Sequence, residues 1–162
     1  MKGLLRLHRF FSSELSSISG QTPNPNVYTD GSCRNQGTAN AQAGYGVYWG
    51  QGHANNRSGT VSGHQDSNRA ELRAAQQAIK TASSQGYSGV NIHSDSHYVR
   101  DAINNSAQFQ RAPAANRDLM QSINSMKSNV SVSAHHVKGH SGHQGNSQAH
   151  SLARAGANSG KK

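Results

Sequence analysis

Val27-Tyr28-Thr29-Asp30-Gly31-Ser32 is a short β-type run that ends on a carboxylate with a glycine directly behind it. An Asp that emerges from a buried strand beside a backbone-permissive residue needs an answering charge, and the chain has only seven acidic residues. Asp30 is therefore expected to be a metal ligand. Downstream, Gly44 to Gly50 and about Arg57 to Gly63 read as two further strands, separated by Gly- and Asn-rich turns short enough for an antiparallel meander. In the second of them Tyr45, Val47 and Trp49 alternate with Gly44, Gly46 and Tyr48, so one face is bulky.

The period then changes. Leu72, Ala75, Ile79 and Ala82 recur at helical spacing, and Asn68 stands three residues before Glu71 in a capping-box relation that predicts a helix start near Asn68. Gly86 and Gly89 end this helix, and Val90 to Ser94 reads as a fourth strand that delivers Asp95. A strand, helix, strand passage of this length makes the fourth strand parallel to one of the first three. Ser96 can cap a short helix holding Val99, Ala102 and Ile103; Leu119, Met120, Ile123 and Met126 suggest another. Val130 to Val137 is a fifth strand, and Ala149, Leu152, Ala153 and Gly156 mark a last helix. This order predicts an α/β fold around a mixed sheet.

At 162 residues the chain suits one domain with a real core. Its net charge of +9 favours a polyanionic partner, nucleic acid first. One cysteine, Cys33, excludes an internal disulfide and a Cys-based zinc site, and no apolar run is long enough to cross a bilayer. Residues 1–25 stand apart: Lys2, Arg6 and Arg9 lie among Leu4, Leu5, Leu7, Phe10 and Phe11, with no acid before Glu14 and a Ser-rich stretch after. That composition is expected of a mitochondrial targeting segment. Residues 26–158 would be the domain, and 159–162 a basic tail.

If the first and fourth strands are neighbours, Asp30 and Asp95 meet at one edge of the sheet, and Glu71 could face them from the helix start. Three crowded carboxylates repel unless a divalent cation neutralises them, and hard oxygen ligands suit Mg²⁺ or Mn²⁺. Each acid also has a structural reading. Glu71 could complete a capping box, Asp30 could serve a turn before Gly31, and Asp95 could cap the helix that follows it.

Six collinear motifs decide between these readings. Tyr28-Thr29-Asp30-Gly31-Ser32, Ala43-Gly44-Tyr45-Gly46-Val47-Tyr48-Trp49, Asn68-Arg69-Ala70-Glu71-Leu72, Ser94-Asp95-Ser96, His136-Val137-Lys138-Gly139-His140-Ser141-Gly142 and Gly145-Asn146-x-x-Ala149-x-x-Leu152-Ala153 together resemble ribonuclease H of type 1, over residues 26 to about 158. The resemblance implies a ribonuclease H-like fold, a five-stranded mixed sheet with three antiparallel and then two parallel strands, flanked by helices. It implies endonucleolytic cleavage of the RNA strand of RNA–DNA hybrids with two Mg²⁺ or Mn²⁺ ions, by a chain expected to be monomeric. By position, Asp30, Glu71 and Asp95 correspond to the first three metal-binding, catalytic acids, and His140 to a loop histidine that assists proton transfer or product departure. Gly31, Cys33, Asn35, Gln36, Ser67 and Asn68 fall where the family reads the hybrid, with Gly31 and Gly37 letting the backbone come close. Tyr98 fits an aromatic that packs on the DNA strand, and Asn116 a DNA-phosphate pocket.

Three features depart from the pattern. The fourth metal-site acid would stand at position 150, which is His150, a nitrogen donor better matched to Mn²⁺ than to Mg²⁺. Between Ala102 and Asn116 a longer basic, Trp-containing protrusion is replaced by Asn104 to Ala115, with Arg111 and no Trp. His64 and Asp66 occupy places where a basic residue and a neutral hydroxyl are expected, and Asp66 would repel phosphate. These departures keep open an alternative: a catalytically impaired hybrid-binding protein of the same fold.

Overall fold

The computed structural model describes residues 23–105, 112–139 and 144–160. The targeting reading of residues 1–22, the basic tail at 161–162, Arg111 and the catalytic reading of His140 lie outside them. Five strands form one sheet: β1 (Asn26–Arg34), β2 (Gln42–Tyr48), β3 (Arg57–Thr60), β4 (Gly89–Ser94) and β5 (Ser131–His136), in the order β3-β2-β1-β4-β5. β1 pairs antiparallel with β2 and parallel with β4, and β4 pairs parallel with β5. The predicted α/β mixed sheet is the observed one.

Among the described residues the helices are α1 (Ser67–Ser84), α2 (His97–Asn104), α3 (Arg117–Met126) and α4 (Gln144–Ser159), with a 3₁₀ turn at Ala114–Asn116. α1 packs its buried Leu72, Ala75, Ile79 and Ala82 on one face of the sheet, against Val27, Val47, Val90 and Ile92. It ends where Gly86 takes φ +79°, a conformation glycine adopts without a Cβ penalty. α1 is tied to α3 by Arg69, only 5% exposed, which forks onto Asp118 at 2.7 and 2.8 Å and also donates to the carbonyls of Ser62 and Ala115. Asp118 in turn is held below the usual carboxylate range by hydrogen bonds from that guanidinium.

α4 covers the other face over β1, β2 and β3. Its contact surface is Ala149, Ala153, Gly156 and Ala157, all buried, laid on Gly44 and Gly46 of β2. A Cβ on either glycine would run into the helix backbone. The alternation in β2 therefore serves both layers: Tyr45 and Val47 fill the α1 side, and the glycines let α4 approach.

One helix start differs from expectation. Asp66, in extended backbone, is the N-cap of α1 and accepts from Arg69 N at 2.7 Å. Glu71 thus lies on the second turn and completes no capping box with Asn68. Asp66 takes the cap two residues earlier, which leaves Asn68 already inside the first turn, where it has no capping role. None of the described helices is long and apolar enough to cross a membrane.

Candidate active site

Tyr28 of β1 lies opposite His93 of the parallel β4, and two residues further along both chains stand Asp30 and Asp95. β1 does not end at Asp30. It continues to Arg34 against β2, with Asp30 opposite Gly46, whereas its pairing with β4 stops at Tyr28. Asp30 therefore sits in the fork where the parallel strand departs, which is the sheet edge that strand-end reasoning required.

Glu71 arrives from α1. Gly31 makes this possible, because a Cβ there would overlap the backbone of Ala70 and Glu71. It serves the close packing of strand on helix. Gly37, at φ +81° with open space around it, remains free to serve the approach to a nucleic acid that the sequence suggested. Asp95 is released for the site because Ser96 takes the cap of α2, accepting from Val99 N at 3.2 Å. His136 Nε2 donates to the Asp95 carbonyl at 3.1 Å, and its ring stacks on His97 at 3.8 Å.

One ligand atom from each of Asp30, Glu71 and Asp95 can be chosen so that all lie within 4.8 Å of one another. Glu71 Oε2 is buried and has no hydrogen-bond partner. An orphaned carboxylate oxygen beside two further acids fits a hard divalent cation, which would satisfy it and cancel the repulsion. His150, from the second turn of α4, does not join this group as a fourth ligand atom. Its Nδ1 lies 2.8 Å from Asp30 Oδ2, and Asp30 is buried while the imidazole is 42% exposed.

The electrostatics follow from this crowding. Burial, then the charges of Asp30 and Asp95, raise Glu71 well above the usual glutamate range. Burial and Asp95 also raise Asp30, against the lowering effect of hydrogen bonds from His150 and Glu71. Glu71 thus keeps its proton to higher pH than an ordinary glutamate, so cation binding releases it and tightens as pH rises. The stability consequence has a definite sign. Between the unfolded carboxyl range and the raised native values the folded state holds more protons than the unfolded one, so stability falls as pH rises through that window. In chelator, Glu71→Gln is expected to raise the melting temperature at pH 8 by on the order of 5 °C and to do much less near pH 4. An equal effect at both pH values would contradict the raised Glu71.

The expected nucleic-acid residues divide into two groups. Near the β1–β2 turn, Asn35 takes φ 54° and Gln36 Oε1 accepts from Ser67 N at 2.9 Å, so Asn35, Gln36, Ser67 and Asn68 line the start of α1. Cys33 is half-buried there, with Sγ 3.5 Å from the Gln65 carbonyl. Asp66, read as a phosphate-repelling departure, is engaged in capping and in an ion pair with His64 at 3.2 Å. Elsewhere, Asn116 Nδ2 donates to Tyr98 Oη at 3.1 Å, which joins the two residues assigned to the DNA strand. Tyr98 also packs on the core. Sequence reasoning missed the Arg69–Asp118 fork and the row of Arg34, Arg154 and Asn158 beside the acids. The second was legible as i+4 spacing from Asp30 and from His150.

The RNase H family model matches residues 23–158. Ribonuclease H1 of Mus musculus is 35% identical over 140 residues, which is 81% of this chain and 49% of that protein, so the chain spans about half the length of that relative. Ribonuclease H of Parvibaculum lavamentivorans is 34% identical over 142 residues, covering 80% of this chain and 89% of that one. Among solved structures, LC9-RNase H1, a type 1 RNase H with the type 2 active-site motif, superposes with a TM-score of 0.63 at 26% identity, over 87% of this chain and 76% of that one.

Proposed function

The chain belongs to the ribonuclease H family, and on that premise we propose that it hydrolyses the RNA strand of RNA–DNA hybrids at the Asp30, Glu71 and Asp95 cluster. The observation that carries the reading is the convergence of three carboxylates from β1, α1 and the end of β4 around an unsatisfied Glu71 oxygen. When bound there, two divalent ions would supply an activated water and stabilise the departing oxygen of a phosphodiester. The protein's own contribution is to hold three acids in register, with burial keeping water from screening them. The proton that Glu71 holds leaves as the site is loaded. The small polar residues at the start of α1 suit recognition of ribose hydroxyls in a wide, shallow groove.

His150 stands where a fourth carboxylate would, hydrogen-bonded to Asp30. It orients Asp30, and as an imidazole in place of a carboxylate it removes one negative charge from the neighbourhood of the ions. Activity is therefore expected to persist with a lean toward Mn²⁺, and His150→Asp should raise Mg²⁺-supported turnover roughly tenfold. No gain in Mg²⁺ would refute this account of the substitution.

The test of the function uses labelled RNA–DNA hybrid, duplex RNA and duplex DNA, each incubated with the chain in Mg²⁺ and in Mn²⁺. The RNA of the hybrid should be cut and both duplexes spared. Hybrid binding without cutting under either metal would favour the impaired binding protein, the reading that His150 keeps in play.

A further inference from the structure

Resting on the reading of the chain as a hybrid-cutting domain, we propose that Arg34 and Arg154 form a phosphodiester subsite that holds the strand being cut beside the acidic cluster. Between β1 and α4 lies a concave pocket of about 300 Å³, lined by Ser32, Arg34, Arg154 and Asn158. Its walls are a matched pair of rows. Strand alternation places Asp30, Ser32 and Arg34 on one face of β1, and helical spacing places His150, Arg154 and Asn158 along one side of α4. Two strand residues rise about 6.6 Å and four helix residues about 6 Å, so the rows stay in step. Contacts close both ends: His150 Nδ1 lies 2.8 Å from Asp30 Oδ2, and Arg34 Nη1 donates to Asn158 Oδ1 at 2.5 Å.

The chemistry of the pocket is that of an anion site. Neither arginine has a carboxylate within ion-pair distance among the described residues, where the ion pairs are His64–Asp66, Arg69–Asp118, Arg100–Asp101 and His150–Asp30. Asn158 fixes the half-buried Arg34 by one of its five donors, and a guanidinium held this way presents a planar fork that matches phosphate. The acids further along the same strand repel a sugar–phosphate backbone, and divalent cations held by them would reverse that field. A chain that passes Asp30 continues over Ser32 into this pocket. Contacts of this kind position a strand and carry no sequence information.

The test measures binding of a short RNA–DNA hybrid to the full chain in chelator, so that nothing is cut, as a function of salt. Arg34→Gln with Arg154→Gln should weaken binding roughly tenfold near 0.1 M salt and make the slope of log affinity against log salt shallower by about one. Arg34→Lys, which keeps the charge, should hold the slope. A single neutral methylphosphonate, built on a 2′-deoxy position with a matched 2′-deoxy control and moved along the RNA strand, should mimic the double variant at one linkage and add nothing to it there. Unchanged affinity and slope in the double variant, with circular dichroism matching wild type, would overturn the subsite and leave the function standing. So would losses that add to the neutral linkage at every position. A chain that fails to bind the hybrid in chelator and also, as the Asp30→Asn variant, in Mg²⁺ would overturn both.

Discussion

Asp30→Asn is expected to lower hybrid cleavage on the order of a thousandfold or more while leaving hybrid binding within a few fold of wild type. Asp30 is 2% exposed and stands between the other two acids and His150, so no other described side chain can take its place. The amide keeps the shape and removes the charge that a hard cation needs. Binding is spared because the basic surface, not this carboxylate, attracts the nucleic acid. The fold is spared as well, since the change relieves the crowding of acids in a metal-free site. Single-turnover cleavage with labelled hybrid, read beside a melting curve, checks all three points. Turnover within tenfold of wild type would show that the cluster is not the catalytic site.

The same residue shows how far the sequence could be read. Asp30, Glu71 and Asp95 were legible because the change of period from two to 3.6 and back gave a strand, helix, strand order, and a parallel crossover permits the two strand-borne acids to meet at one edge if their strands are neighbours. The motifs then fixed which acids mattered. What could not be read were close approaches between elements distant in the chain. Gly31 looked like a turn or a ligand-facing residue, and only the position of α1 shows that it makes room for the Glu71 backbone. Glu71 and Asn68 fitted a capping box as well as Asp66 and Arg69 fitted a simple cap, and local pattern cannot rank two caps that overlap. Arg69 is buried in a fork with Asp118, 49 residues away. Charge partners at that separation leave no periodic trace.

Gly46→Ala is expected to lower the melting temperature by about 10 °C, equivalent to ~3 kcal/mol, and to reduce cleavage beyond what the lost stability explains. Gly46 lies directly opposite Asp30 in the β1–β2 ladder. A Cβ on it would meet the Ala149 carbonyl, the Ala153 amide and Leu152 Cβ, which is the stretch of α4 on either side of His150. Backbone cannot turn aside as a flexible side chain can, so the helix must lift from the sheet, and its row of buried alanines lifts with it. His150 would then draw away from Asp30, and Arg154 from Arg34. Gly52→Ala is the matched control, with φ +67° and no atom within 4 Å of the new Cβ, and should cost only about 1 kcal/mol through its backbone conformation. If the two variants melt alike, the packing of α4 on Gly46 is not what sets the position of His150. If Gly46→Ala alone falls and its activity falls further, then a residue with no side chain holds the site in register from behind the sheet. The cluster that first stood out as a chemical feature of one strand would then depend on how closely a helix can lie upon the next.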